Sequence, residues 1–129
     1  MGKKIDLLSV QLHDADIIEI NLKSNIDSLD IVEIILESDI FEEEFNSKRI
    51  KLTINQCIKI KLNMNAWIKG RDTVKDFFIT DKSDWINSLE EFKATFIPRQ
   101  KQIMHFCIIS NTLSKIELLL TEDIVVKAI

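Results

Sequence analysis

From Ile50 to Met64 the chain alternates apolar and polar residues over an unusually long run. Ile50, Leu52, Ile54, Ile58, Ile60, Leu62 and Met64 are set against Lys51, Thr53, Lys59, Lys61, Asn63 and Asn65. Period-two alternation sends successive side chains to opposite faces of an extended strand. The run therefore requires a sheet with one buried and one wet face. One straight strand of this length would span roughly 50 Å at about 3.3 Å per residue, too long for a small domain. A turn is therefore expected at Asn55-Gln56-Cys57. A two-residue loop would pair Ile54 with Cys57 and push Lys59 and Lys61 inward. A three-residue loop pairs Ile54 with Ile58, keeps the apolar face continuous, and is the reading adopted.

That register has an electrostatic cost. It places Lys51 opposite Lys61, with Lys59 one step away, and like charges directly opposed destabilise a sheet. Either Glu19, Glu33 or Glu117 on a neighbouring strand neutralises them, or the Lys51/Lys59/Lys61 face meets an anionic ligand or partner.

The same period recurs elsewhere. Ile18, Ile20 and Leu22 alternate with Glu19, Asn21 and Lys23, whereas residues 29–36 (LDIVEIIL) are apolar on both faces except at Glu33. KDFFITD, residues 75–81, reads as a short strand after a loop, residues 65–74, that holds Gly70. Asp81 or Ser83 then offers an N-cap, and Trp85, Leu89, Phe92 and Phe96 recur at helical spacing until Pro98. Residues 103–110 (IMHFCIIS), Ile116 to Leu120 and a last run, IVVKAI, return to strand. Short connections between consecutive strands favour antiparallel meanders. The expected fold is α+β and predominantly antiparallel β. It is a curled sheet or small sandwich of about seven strands with one packed helix, about residues 83–96. Residues 1–129 are read as a single domain.

Two cysteines, Cys57 and Cys107, lie far apart inside apolar runs, which suits buried free thiols in a reducing cytoplasm. The N-terminal stretch meets Asp6 before any apolar core and lacks a myristoylation pattern, and no run approaches the ~18 apolar residues of a membrane helix. A cytoplasmic protein without membrane contact is expected. A net charge of −4 argues against a nucleic-acid binder that works by neutralising phosphates.

Chemistry is concentrated in one place. Leu12-His13-Asp14-Ala15-Asp16 puts one of two histidines beside two aspartates. With the other histidine, His105, the residues His13, Asp14 and Asp16 could form a two-His, two-carboxylate metal set. That set requires His105 to fold back beside residues 12–16. Otherwise the aspartates set a turn and His13 bonds nearby backbone. An HD dipeptide also resembles the HD phosphohydrolases, which carry their ligands on helices, whereas this one opens a strand. No nucleophile elbow, phosphate loop, dinucleotide turn or zinc-protease motif is present, so no catalytic residue and no cofactor is assigned. The second feature is acidic. Residues 37–44 (ESDIFEEE) carry Glu37, Asp39, Glu42, Glu43 and Glu44 with Ile40, Phe41 and Phe45 interleaved. They form a solvated loop or short helix, or a surface in which aromatic anchors ringed by carboxylates seat a basic protein.

Leu12-His13-Asp14-Ala15 followed by Ile17, Ile18 and Ile20 resembles the "LHDx…I" opening of a loose group of small bacterial proteins. Their order of elements is echoed by Ile54 to Cys57, by Trp67 to Trp85, and by Lys115 to Val126. The turn Asn111-Thr112-Leu113-Ser114 departs from the group, in which a glycine is usual. Members are mainly uncharacterised, and some resemble immunity proteins of polymorphic toxin systems. The resemblance implies a fold and a protein partner such as a toxin domain, and brings no catalytic residues. The expectation is a non-enzymatic binding domain. Its alternatives are a metal-dependent hydrolase on His13, Asp14, Asp16 and His105, or a homodimeric structural or small-ligand protein associating through a sheet edge or the lysine face.

Overall fold

The computed structural model describes residues 11–23, 30–63, 72–88, 102–121 and 124–129. They form one seven-stranded antiparallel sheet. Its strands are β1 (Asp16–Lys23), β2 (Asp30–Glu37), β3 (Arg49–Asn63), β4 (Val74–Thr80), β5 (Met104–Ser110), β6 (Lys115–Leu120) and β7 (Val125–Ala128). Two short helices accompany them, α1 (Asp39–Phe45) between β2 and β3, and α2 (Asp84–Asn87) after β4. The α+β, mostly antiparallel fold is the one expected. Two meanders, β1-β2-β3 and β4-β5-β6, join where β3 pairs with β6.

The long alternating run does not turn at residues 55–57. It is one continuous strand, β3, of 15 residues. A bulge bends it, with the pairing register shifting between Cys57 and Lys59. Before the bulge, β3 lies between β2 and β7; beyond it, β3 pairs with β6. A straight strand of this length would overrun the domain, whereas an extra residue in the ladder bends and twists it so that the sheet curls over its own core. Two register shifts reset the phase. One against β2, between Ile54 and Cys57, leaves both residues buried in the main core, and at the other, between Cys57 and Lys59, Ile58 turns to the opposite face.

The lysine register changes with it. Lys51 stands opposite Ile35 and Lys127, and Lys61 opposite Glu117, not Lys51. Glu33 joins two lysines, at 2.8 Å from Lys23 and 3.3 Å from Lys51. Hydrogen bonding from Lys23 is the largest effect on the Glu33 carboxyl, and with Lys51 it outweighs burial and holds the group below its ordinary range. Glu33 on the adjacent strand therefore neutralises Lys51.

The concave side holds the core: Val32, Ile34, Leu36, Ile50, Leu52, Ile54, Phe106, Ile108, Ile116, Leu118 and Val126, closed at one end by Leu12, Ala15 and Phe41. A second, smaller cluster on the convex side packs Ile86 and Trp85 of α2 onto Ile58, Ile103 and Leu119. Ser83 caps α2, its hydroxyl accepting from the Ile86 N–H at 3.2 Å. The expected helix is thus present at its start, while Leu89, Phe92 and Phe96 lie outside the described residues, as do residues 65–71 of the expected loop.

The outermost strands of the sheet, β1 and β4, touch at one corner. Asp16 bridges Thr73, and backbone bonds run from Asp14 N to Val74 O, from Val74 N to Ala15 O and from Ile17 N to Asp72 O. Among the described residues the sheet is pinned there and open elsewhere. The β5–β6 hairpin locks onto the same corner. Asp72 accepts the Thr112 hydroxyl at 2.6 Å and the Thr73 N–H at 3.0 Å, and Asn111 donates to the Thr73 hydroxyl at 2.6 Å. Leu113, at φ 67, takes a left-handed conformation of the kind that favours glycine.

Candidate functional site

The His13-Asp14 dipeptide forms part of this corner. Asp14 adopts a left-handed conformation, φ 65, that a short polar side chain tolerates, and the Ala15 N–H returns to Leu12 O at 3.0 Å. His13 Nδ1 donates to the Lys75 carbonyl at 2.8 Å, and its Nε2 lies 3.6 Å from Asp14 Oδ2. The dipeptide therefore works as a turn that ties β1 to β4.

His105 does not join it. It sits near the far end of β4, opposite Thr80, so that roughly 16 Å of strand separates its register from Lys75. It points to the convex face and is buried, with Nε2 at 3.2 Å from Glu117 Oε1 and its ring edge-on to Phe78 and Trp85. The four-residue metal set proposed from sequence is thus not assembled. Among the described residues no group of three or more His, Cys, Asp or Glu side chains is placed to hold a metal.

The convex cluster around His105 was not foreseen. Lys61 Nζ lies 4.2 Å above the Trp85 ring, and Glu117 stands opposite both Lys61 and Cys107. The signal was a lone histidine inside IMHFCIIS, a strand apolar on both faces, which meant that something had to cover it. Burial, reinforced by the Glu117 charge, pushes the Cys107 thiol up to about 11, so it stays protonated and unreactive. Cys57 is also a buried free thiol. With Lys51 on Glu33 and Lys61 on Trp85, the lysine face is a set of internal partnerships.

The acidic segment folds into α1. Ser38 caps it, accepting from the Ile40 N–H at 3.3 Å, and Asn46 ends it in the left-handed conformation at φ 55. Phe41 is fully buried in the core, edge-on to Phe45 at 6.1 Å between centroids. This corrects its assignment as a partner contact: it is the anchor that fixes the helix on the sheet. Glu37 belongs to β2, half-buried and paired with Arg49 at 2.6 Å. The remaining acidic residues face solvent. Asp39 meets Lys48 at 3.7 Å while its side chain is 92% exposed, and Glu42, Glu43 and Glu44 have no ion pair among the described residues.

Glu43 and Glu44 stand near the C-terminus of α1, where no basic residue balances them. A helix end of that polarity favours cations, so the carboxylates there cost a few tenths of a kcal/mol. Beside the helix a cleft of about 430 Å³ opens, lined by Gln11, Leu12, His13, Asp14, Ser38, Ile40 and Phe77. Ile40 is 42% exposed on its rim. The turn read as possible chemistry and the segment read as a docking surface thus flank one cleft.

Fold and site together define a curled antiparallel α+β domain that presents an acidic helix beside an open, partly apolar cleft. No family model, curated protein or solved structure matches the chain. No helix among the described residues is long and apolar enough to cross a membrane.

Proposed function

We propose that the protein is a non-enzymatic cytoplasmic binding domain that docks a basic protein through α1 and the adjacent cleft. It acts by occlusion, as an immunity protein blocks a toxin domain. The supporting observation is the exposed face of α1, where Glu42, Glu43 and Glu44 have no ion pair among the described residues while Ile40 offers an apolar contact at the cleft. Unneutralised carboxylates on a rigidly anchored helix steer a positive partner, and an apolar contact between them holds it. The LHDx…I resemblance favours a toxin as that partner. Two buried free thiols accord with a reducing compartment.

The test is the triple variant E42K/E43K/E44K, whose positions are all exposed, so the fold should be unchanged by circular dichroism. A partner retrieved with the wild-type protein is identified, purified and titrated at two salt concentrations. The variant is expected to weaken the complex about 100-fold or more and to abolish its salt dependence. An undiminished complex would remove α1 as the docking surface.

A further inference from the structure

We infer that the protein self-associates through the open edge of β1, as a two-fold dimer centred on Asn21. β1 ends the sheet, and its inner edge is paired to β2 along its length. Among the described residues its outer edge is held only at the start, by the Asp16–Thr73 bridge and the Ile17 N–H to Asp72 O bond. From Ile18 to Lys23 the outer backbone groups have no partner among the described residues. Leu22, near the end of this stretch, is 57% exposed beside an apolar groove formed with Val32, Ile58 and Ile60.

The side-chain pattern selects a second copy as occupant. Ile20 and Leu22 stand opposite Ile34 and Val32 of the core and so share the inner face, while Glu19, Asn21 and Lys23 share the outer one. An antiparallel pair of identical strands keeps both faces in phase only when the two-fold axis passes through a residue. Centring on Glu19 or Lys23 opposes like charges, and centring on Ile20 or Leu22 pairs neither charge with the other. Centring on Asn21 sets Glu19 of each copy opposite Lys23 of its mate and Ile20 opposite Leu22. Cross-strand pairs of opposite charge and of two apolar residues both stabilise a ladder.

Exposed edges are usually blunted by bulges and lysines. Here the bulge lies between Ile17 and Glu19, outside the paired stretch, and the lysine falls opposite a carboxylate. The α1 face stays free, because Asp16 pairs with Glu37 beside α1 and Lys23 lies roughly 23 Å further along the strand. Dimerisation is thus independent of the docking reading. A short ladder makes a small interface, and a dissociation constant on the order of 100 µM is expected.

The experiment is sedimentation equilibrium of the full chain from about 10 µM to 1 mM, with amide hydrogen exchange at both ends of that range. A monomer–dimer equilibrium is expected, with Glu19–Lys23 amides slowing as concentration rises while β4 amides do not. Glu19→Lys and Lys23→Glu each place like charges in both cross-strand pairs and should weaken the dimer about tenfold. Mixed together they restore two opposite-charge pairs, so a heterodimer of wild-type affinity should form. Both side chains are exposed; Lys23→Glu also ends the Lys23–Glu33 ion pair within each copy, so circular dichroism checks that the fold is retained. A strict monomer at 1 mM, species beyond a dimer, a dimer indifferent to either substitution, or no heterodimer on mixing would overturn the inference.

Discussion

Replacing Asp72 with alanine should cost about 2–3 kcal/mol of stability, through loss of the clamp that pins the open sheet. The Asp72 carboxylate accepts the Thr112 hydroxyl at 2.6 Å, the Thr73 N–H at 3.0 Å and, more weakly, the Thr112 N–H at 3.4 Å. Thr112 in turn contacts Ser110 at 3.1 Å and Ser114 at 3.3 Å, and Ser110 Oγ accepts the Ser114 N–H at 3.0 Å. Hydrogen bonds to a charged acceptor are worth about 1.5–3 kcal/mol each when buried. Two strong ones would give at most about 6 kcal/mol if fully buried, and partial exposure together with their mutual dependence reduces this to the figure above. Urea denaturation measures it: with a slope of about 1.5 kcal/mol/M, the midpoint should fall by about 1.3–2 M. Asp72→Asn keeps one acceptor oxygen and should lose about half as much. An alanine variant within about 0.5 kcal/mol of wild type would show that the corner holds without its carboxylate.

The same residue governs an acid limb. Burial alone would raise the Asp72 carboxyl, but hydrogen bonds from Thr112, Ser110 and backbone N–H groups outweigh it and hold the group below its ordinary 3.8. A carboxyl lowered in the folded state contributes stability above its unfolded value and loses it as pH falls through the folded one. Stability of the wild type should therefore drop below about pH 4, and the alanine variant should lose that share of the decline.

Two further outcomes follow from burial. Phe41→Ala removes a fully buried ring that anchors α1 and should destabilise by about 3–5 kcal/mol, seen as a lower thermal midpoint; a loss below about 1 kcal/mol would mean that α1 is held by its caps alone. Cys107, its thiol raised to about 11 and shielded by the sheet, should stay unlabelled by a disulfide reagent at pH 8 until the chain is unfolded in urea. Rapid native labelling of Cys107 would show that its strand is accessible.

The short-range patterns in this chain were legible without coordinates. Alternation at Ile50–Ile54 and Ile116–Leu120 marked strands, Ser83 marked the start of α2, and Glu33 was among the residues named to neutralise the lysines. These rest on side-chain direction and local hydrogen bonding, which a few neighbouring residues determine. The error at residues 55–57 came from treating strand length as straight length. A bulge is a one-residue irregularity in pairing, and pairing involves strands distant in sequence.

The sequence alone determined the material of this protein: antiparallel strands with one buried face, an acidic segment with a phenylalanine to bury, and histidines too few and too scattered to declare a site. Tertiary structure alone decided what meets what. It bent β3 so that the two meanders joined, brought His13-Asp14 to Val74 and Lys75 as a clasp, and sent His105 to the convex face against Trp85 and Glu117. It also set the acidic helix beside the cleft that the clasp leaves open. The physical reason is that contact between distant segments depends on sheet register and curvature. These are collective properties of all the paired strands, and no single stretch of sequence encodes them.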